Sequence, residues 1–311
     1  MVVGSNPAER TISLIPMLNL EQLAALLESH RAAAAVRVEE FSLGERRFAF
    51  NEQPAIMGVI NLSADSWYRE SVCLTAEHAV QRAKVLTAQG ADLIDLGAES
   101  SLAHAARVDE AGQNSKLLPV IRELRAAGIL VSVETYQPAV TRACLEAGAN
   151  LLNLTGTDRS DEMFRMVAAH DAAVIICFVQ GDNVREVGDF DLQSDTTALM
   201  HDYFARQIDQ ATRQGVRKIF IDPGLGFYYR NLQDSAIRVR HQMKTFLNTF
   251  RLRTLGFPVC HALPHAFEYF GEEVRGAEPF FAVLAALGRT DLFRTHEVPR
   301  IKAVLDTLRV Y

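Results

Sequence analysis

Along this chain, short apolar runs recur, most of them with a glycine a few residues ahead. Gly90 leads into 91–95, Gly128 into 129–133, Gly148 into 149–153, Gly215 into 218–222, Gly256 into 257–260 and Gly288 into 292–294. A glycine just past a helix takes the left-handed conformation that closes the last turn. Each pair therefore reads as a helix end followed by a strand. Runs at 55–60 and 173–178 share the apolar character without the glycine. All are nearly continuous rather than alternating, as parallel strands buried on both faces are. Eight such units in about 255 residues predict an α/β chain folded as a (β/α)8 TIM barrel over 51–311. An open doubly wound sheet is the alternative. It normally carries a glycine-rich phosphate turn after its first strand, and Asn61-Leu62-Ser63-Ala64-Asp65 is not one.

The first 50 residues follow a different pattern. An alanine- and leucine-rich amphipathic helix over 18–36 precedes two short strands, 36–41 and 46–50, around Leu43-Gly44-Glu45. This helix-plus-hairpin extension reads as a cap on the bottom of the barrel, with a partner-docking or oligomer arm as the alternative.

Composition narrows the class of partner. Of 311 residues, 49% are hydrophobic and 23% charged, enough to bury a sizeable core. A net charge of −6 argues against nucleic acid or an anionic membrane as partner, while leaving room for a small anion held by local cations. Cys73, Cys144, Cys177 and Cys260 are spaced neither as a metal knuckle nor as a redox pair and read as reduced core thiols. Residues 1–14 lack the pattern of a secretory signal, and the longest apolar run, near 172–179, falls far short of the ~20 residues that span a bilayer. The expected location is cytoplasmic.

In such a barrel the loops after the strands build the open face, so reactive groups belong at strand exits. Those exits carry Asn61, Asp95 with Glu99, Glu134, Asn153, Gln180, Asp222, His261, and Arg294 with His296. Convergent polar groups at every exit favour a small-molecule site. Asp222, ahead of Pro223-Gly224-Leu225-Gly226-Phe227, is able to accept two parallel hydrogen bonds from an amidine-like edge such as that of a pterin or guanine. The other reading is an Asp that starts a turn. Asn153 either reads the rest of that edge or caps a loop. Arg294 with a potentially cationic His296 suits a phosphate or diphosphate. Asn61 either donates to that group or lends its carbonyl to a Mg²⁺ bridging it.

Six segments resemble one family. Ile56-Met57-Gly58-Val59-Ile60-Asn61-Leu62-Ser63-Ala64-Asp65-Ser66-Trp67 is similar to the dihydropteroate synthase signature M-G-[IV]-[LI]-N-V-T-P-D-S-F. Asp95-Leu96-Gly97-Ala98-Glu99-Ser100-Ser101, Val133-Glu134-Thr135-Tyr136-Gln137-Pro138, Leu152-Asn153, the stretch from Asp222 to Phe227, and Arg294-Thr295-His296-Glu297 resemble its later motifs, in family order over about 54–310. The resemblance implies a transferase that condenses 6-hydroxymethyl-dihydropterin diphosphate with p-aminobenzoate and expels diphosphate. It implies that Asp222, Asn153 and Glu134, with Phe227 and Ser101 from the same motifs, hold the pterin. Asn61, Arg294 and His296 would hold diphosphate and Mg²⁺, contributing little to the ring, with Asn61 as the metal ligand. The partners expected are the pterin diphosphate and an arylamine, with no nucleic acid and no membrane; a homodimer is compatible with it.

Departures from the pattern cluster at the acceptor end. The family's S-R-K-[ST] is replaced by His261-Ala262-Leu263-Pro264-His265-Ala266-Phe267, so its lysine is missing, with His265 left as a partial substitute at acid pH. Ser100-Ser101-Leu102-Ala103-His104 lacks the arginine of S-T-R-P-G. An altered acceptor site is therefore expected. Two other readings compete: a non-catalytic pterin-binding homologue serving as partner subunit or regulator, and a methyl-tetrahydrofolate-binding methyltransferase. The last predicts no diphosphate clamp, which counts against it.

Overall fold

The structure, a computed structural model, describes residues 17–63, 65, 68–100, 105–185, 188–192, 195–227 and 229–311. Ser101, predicted above to contact substrate, lies outside the described residues, as do Ala64, Ser66, Trp67 and Tyr228. Helices α1 (Leu20–Ser29) and α2 (Arg31–Ala34) lead into a hairpin of β1 (Phe41–Leu43) and β2 (Arg46–Phe48). Strands and helices then alternate: β3 (Ala55–Asn61), α3 (Ala76–Ala88), β4 (Leu93–Gly97), α4 (Glu110–Ala126), β5 (Val131–Thr135), α5 (Pro138–Ala147), β6 (Leu151–Leu154) and α6 (Ser160–Ala169). The series continues with β7 (Ala173–Cys177), α7 (Thr196–Arg213), β8 (Lys218–Asp222), α8 (Ser235–Leu252) and β9 (Cys260–Ala262). After β9 come α9 (Phe267–Phe270), α10 (Ala277–Leu287), β10 (Leu292–Thr295) and α11 (Val298–Leu308).

The large sheet is parallel, in the order β8-β7-β6-β5-β4-β3-β10-β9. A bridge between Ile221 and Val259 brings β8 back to the start of β9, which makes the sheet a (β/α)8 barrel. Strand alternation divides its side chains. Ile94, Leu96, Val174, Ile176, Ile219 and Ile221 pack outward with the helices. Leu93, Leu151, Ala173, Phe220 and Leu292 pack inward with Phe48 and Phe50 of the hairpin region. Two residues further along the same inward rows come Asp95, Asn153, Asp222 and Arg294. The barrel interior is thus apolar at the bottom and polar at the top. Phe41 and Phe50 sit 5.1 and 5.3 Å from Phe220, ring centre to ring centre, closing the lower end edge to face.

Four sequence-based expectations need correction. The helix expected over 18–36 breaks at His30, whose φ of −135° is not helical; Asn19 and Gln22 form a capping box at its start. The hairpin's first strand begins at Phe41 instead of residue 36, because the Asn51 side chain takes both the N–H and the C=O of Val38, at 2.9 and 2.8 Å. Strand β9 starts at Cys260 instead of residue 257. Pro258 has no N–H to give, and the N–H of Val259 goes to the Asp291 carboxylate at 2.8 Å. Finally, Gly288 is not left-handed (φ −80°); Arg289 takes that conformation at φ 66°. Gly288 instead lets α10 approach α8, since a Cβ there would meet the Phe246 carbonyl at 1.7 Å.

Candidate active site

The polar upper layer opens into one pocket. Asn61, Glu134, Asn153, Asp222, Phe227, Arg294 and His296 all line it, so every described residue that the family resemblance assigns to the site is brought together there. Of the other strand exits, Glu99 lines the pocket too. His261 does not belong to it: its Nε2 lies 2.8 Å from Thr249 Oγ1 beneath α8, and burial pushes its pKa down to about 3. It is a neutral core histidine. The backbone N–H of Gln180 donates to Tyr229 Oη, and its side chain is not among the described lining residues.

The hub of the floor is Asp95, which is fully buried. One oxygen accepts from Ser132 Oγ at 2.5 Å; the other accepts from Asn153 Nδ2 at 3.1 Å and Arg294 Nε at 2.7 Å. Arg294 also donates through Nη2 to Glu134. Arg294 therefore sits between two carboxylates on the pocket floor. Asn153 Oδ1 accepts from the Cys177 thiol at 3.5 Å, so its amide orientation is fixed. Burial, opposed by Arg294 and reinforced by Asp95, Asp222 and Glu99, holds Glu134 above the usual carboxylate range.

Asp222 ends β8 with its carboxylate turned into the pocket. Its Oδ1 accepts the N–H of Gly224 at 2.8 Å. Gly224 is left-handed at φ 73°, and a Cβ there would lie 2.6 Å from the Phe178 carbonyl, so only glycine fits this tight turn. Burial pushes the Asp222 pKa up to about 6, against the Gly224 hydrogen bond and Arg294. This poised carboxylate lacks an ion pair of its own at hydrogen-bond distance among the described contacts. Phe227, next along the turn, offers a partly exposed ring beside it.

At the other end, His296 Nδ1 lies 2.8 Å from Glu278 Oε1, and its ring stacks on Tyr68 at 4.5 Å. Glu278 is buried and also accepts from the backbone N–H of His296 at 3.1 Å and from Thr295 Oγ1. With Nδ1 donating to that carboxylate, the ring is held in one orientation on the pocket wall. Asn61 Nδ2 donates to Ser71 Oγ at 2.6 Å, leaving Oδ1 directed towards Gly97. Among the described residues, no group of three or more His, Cys, Asp or Glu side chains is arranged to hold a metal. A single neutral oxygen fits a Mg²⁺ that arrives on a phosphate group, since Mg²⁺ takes few protein ligands when phosphates supply the rest.

Sequence reasoning missed several groups. Asp95 stood out as a polar strand residue, but its part as holder of Arg294 and Asn153 follows only from the register. Arg238 and Gln242 were invisible because they lie on α8, away from any strand exit, yet both line the pocket beside Leu263, Pro264 and His265. Polar residues His241, Gln242, Thr245 and Thr249 on the buried side of α8 were the signal that could have found them. The lost lysine thus does not leave this wall without a cation. His265 is no substitute for it, because burial, with Arg238 nearby, pushes its pKa down to about 4.

Comparison with known proteins gives the pocket its relatives. A family model described as pterin binding enzyme matches residues 57–261. The chain is 30% identical over 277 residues to a dihydropteroate synthase of Streptococcus pyogenes, covering 84% of this chain and 98% of that protein. It is 27% identical over 268 residues to a dihydropteroate synthase of Synechocystis sp., covering 82% and 89%. Among solved structures, Xanthomonas albilineans dihydropteroate synthase with 4-aminobenzoic acid matches with a TM-score of 0.72 and 26% identity over 88% of this chain and 98% of that one. The Thermus thermophilus dihydropteroate synthase in complex with 6HMPPP matches with a TM-score of 0.70 and 25% identity over 88% and 99%. With the motifs in order, the barrel in place and relatives covered almost end to end, this chain belongs to the dihydropteroate synthase family of pterin-binding enzymes.

Proposed function

We propose that the protein is a dihydropteroate synthase-like transferase that joins the methylene of 6-hydroxymethyl-dihydropterin diphosphate to an arylamine, with an acceptor end rebuilt relative to its family. The observation that carries this reading is Asp222, a buried carboxylate beside a glycine turn and the Phe227 ring. Its two oxygens match the paired N–H donors of a pterin edge, and ligand binding compensates the cost of burying its charge. Asn153 and Glu134 read the remaining ring atoms, held in place by Asp95 and Arg294.

His296, oriented by Glu278, and Asn61 take the diphosphate. A Mg²⁺ carried on that group, held by Asn61 Oδ1, would offset the charge of the departing diphosphate. The bond between methylene carbon and diphosphate oxygen breaks with its electrons on the diphosphate. The amine nitrogen bonds to the carbon and releases a proton. The protein's contribution is placement and fixed charge.

In the same reading, the described part of the 1–50 extension, residues 17–50, caps the barrel formed by 51–311, and the protein works in the cytoplasm as a homodimer. Exposed apolar side chains on α9 and α10, Tyr269, Phe280 and Leu287, support self-association, which light scattering tests. No helix among the described residues is long and apolar enough to cross a membrane. The function is tested by following diphosphate release with pterin diphosphate, Mg²⁺ and p-aminobenzoate. Release that requires both organic substrates is expected. Tight pterin diphosphate binding with no release would favour the non-catalytic homologue, and preference for methyl-tetrahydrofolate would favour the methyltransferase.

A further inference from the structure

Arg238 and Gln242 lie one helical turn apart on α8 and face the same pocket as Asp222. Arg238 Nη2 donates to both carboxylate oxygens of Glu268 at 2.9 Å, and Nη1 reaches the carbonyls of Leu232 and Gln233 at 3.3 Å. Its Nε is buried with no hydrogen-bond partner among the described residues. Gln242 is 3% exposed; its Nε2 donates to the Leu225 carbonyl at 3.1 Å, which fixes the amide. Its Oε1 is then a buried acceptor with no partner among the described residues. Unpartnered buried polar atoms are costly, and two of them on one pocket wall mark a place for a ligand.

The wall has a direction. In a barrel of this kind the helix after a strand runs back from the mouth, so Arg238, in the first turn of α8, lies nearer the rim and Gln242 one turn deeper. Gln242 is bonded to Leu225, three residues beyond Asp222, on the ring side of the pocket. A ligand spanning the two would present an anion at the rim and an N–H donor inward. A para-substituted aromatic amine with a carboxylate has that polarity.

We propose that Arg238 is the carboxylate site for the acceptor, that Gln242 orients its amine, and that Glu268 occupies Arg238 until the acceptor displaces it. This rests on the transferase reading above. Glu268 suits the role: its side chain is 47% exposed against 12% for Arg238, so solvent screens the pair and takes back the released carboxylate readily. The planar guanidinium exchanges one two-oxygen partner for another without changing its own geometry.

The test uses the full chain and a mixture that cannot react: 6-hydroxymethylpterin, inorganic diphosphate and Mg²⁺. Calorimetry then gives the Kd of p-aminobenzoate and of uncharged aniline for the parent, Arg238→Ala, Arg238→Lys and Glu268→Gln. Arg238→Ala should weaken p-aminobenzoate at least tenfold and aniline less than twofold. Arg238→Lys should recover part of the loss, and Glu268→Gln should tighten p-aminobenzoate several-fold by removing the competitor. Pterin diphosphate affinity, measured separately, should stay within twofold in all three variants. Equal losses for p-aminobenzoate and aniline, or no loss for either, would overturn the assignment, as would Glu268→Gln weakening the acid. A parent that binds no pterin diphosphate would instead bring down the transferase reading, and this site with it.

Discussion

The floor of the pocket and its α8 wall are built on opposite principles. On the floor, Asp95, Asn153, Glu134 and Arg294 are interlocked, each charge answered by a neighbour before any ligand arrives. On the wall, Arg238 is held by a half-exposed Glu268, and Nε of Arg238 and Oε1 of Gln242 stay unanswered among the described residues. A closed network fixes geometry and suits a rigid flat ring that must always sit the same way. An open one suits a partner that comes and goes. Asp222 stands between the two, wired to the backbone at Gly224 yet left to await a ligand.

The largest effect should come from cutting the floor network. Arg294→Met leaves Asp95 and Glu134 as uncompensated neighbours, one of them fully buried. Breaking such a pair typically costs about 3–5 kcal/mol, so Tm should fall by roughly 10 °C. Pterin diphosphate and the bare pterin alcohol should both lose affinity. If thermal unfolding is unchanged and only the diphosphate ligand is affected, Arg294 belongs to the diphosphate end and the floor is not the unit described.

Asp222 should show the opposite balance, with stability sacrificed for binding. Its native pKa of about 6 lies above the ~3.9 of an unfolded Asp. The native state therefore holds the proton more tightly, and its stability declines as pH rises between those values. Ligand-free Asp222→Asn should exceed the parent by on the order of 2 kcal/mol above pH ~6, with the advantage gone below pH ~4. Denaturant unfolding at pH 4 and pH 8 measures this. A variant less stable than the parent at pH 8 would mean the carboxylate stabilises the fold.

A smaller change should follow at the end of the pocket proposed to take the diphosphate. Glu278→Gln keeps the shape but removes the charge that orients His296 through Nδ1. Loss of such a support typically costs about tenfold or more in ligand affinity, here for the diphosphate ligand with the bare pterin unaffected. The smallest effect belongs to the wall: His265, with a pKa near 4, should stay neutral between about pH 5 and 8. Replacing His265 with Asn should leave the pH profile of acceptor binding unchanged over that range, and a lost acid limb would show that the imidazole does carry charge.

Why the floor was legible and the wall was not follows from geometry. A strand has a period of two, so Leu151 facing inward commits Asn153 to the pocket, and Phe220 commits Asp222. Strand exits therefore reveal Asn61, Asn153, Asp222 and Arg294 from sequence. The same logic misplaces His261, because β9 begins three residues later than its apolar run and α8 supplies Thr249 as partner. Nothing in strand periodicity reports a helix residue that reaches over a strand end, which is how Arg238 enters. Pairings such as Arg294 with Asp95, 199 residues apart, depend on ring closure and leave no local trace. At the lower end the hairpin was visible, but Asn51 satisfying Val38 was not, since one side chain replaced two ladder bonds.

Asp222 is the proposed anchor of the pterin ring, and one titration tests it. Calorimetry at pH 8 with 6-hydroxymethyl-dihydropterin diphosphate and Mg²⁺ should give saturable binding to the parent. Removing one charge-assisted pair from a buried site costs about 2–3 kcal/mol, so Asp222→Asn should bind at least ~30-fold more weakly. As the parent protonates below pH ~6, the gap between the two proteins should narrow. A folded Asp222→Asn protein that binds the ligand as tightly as the parent at pH 8 would contradict the account.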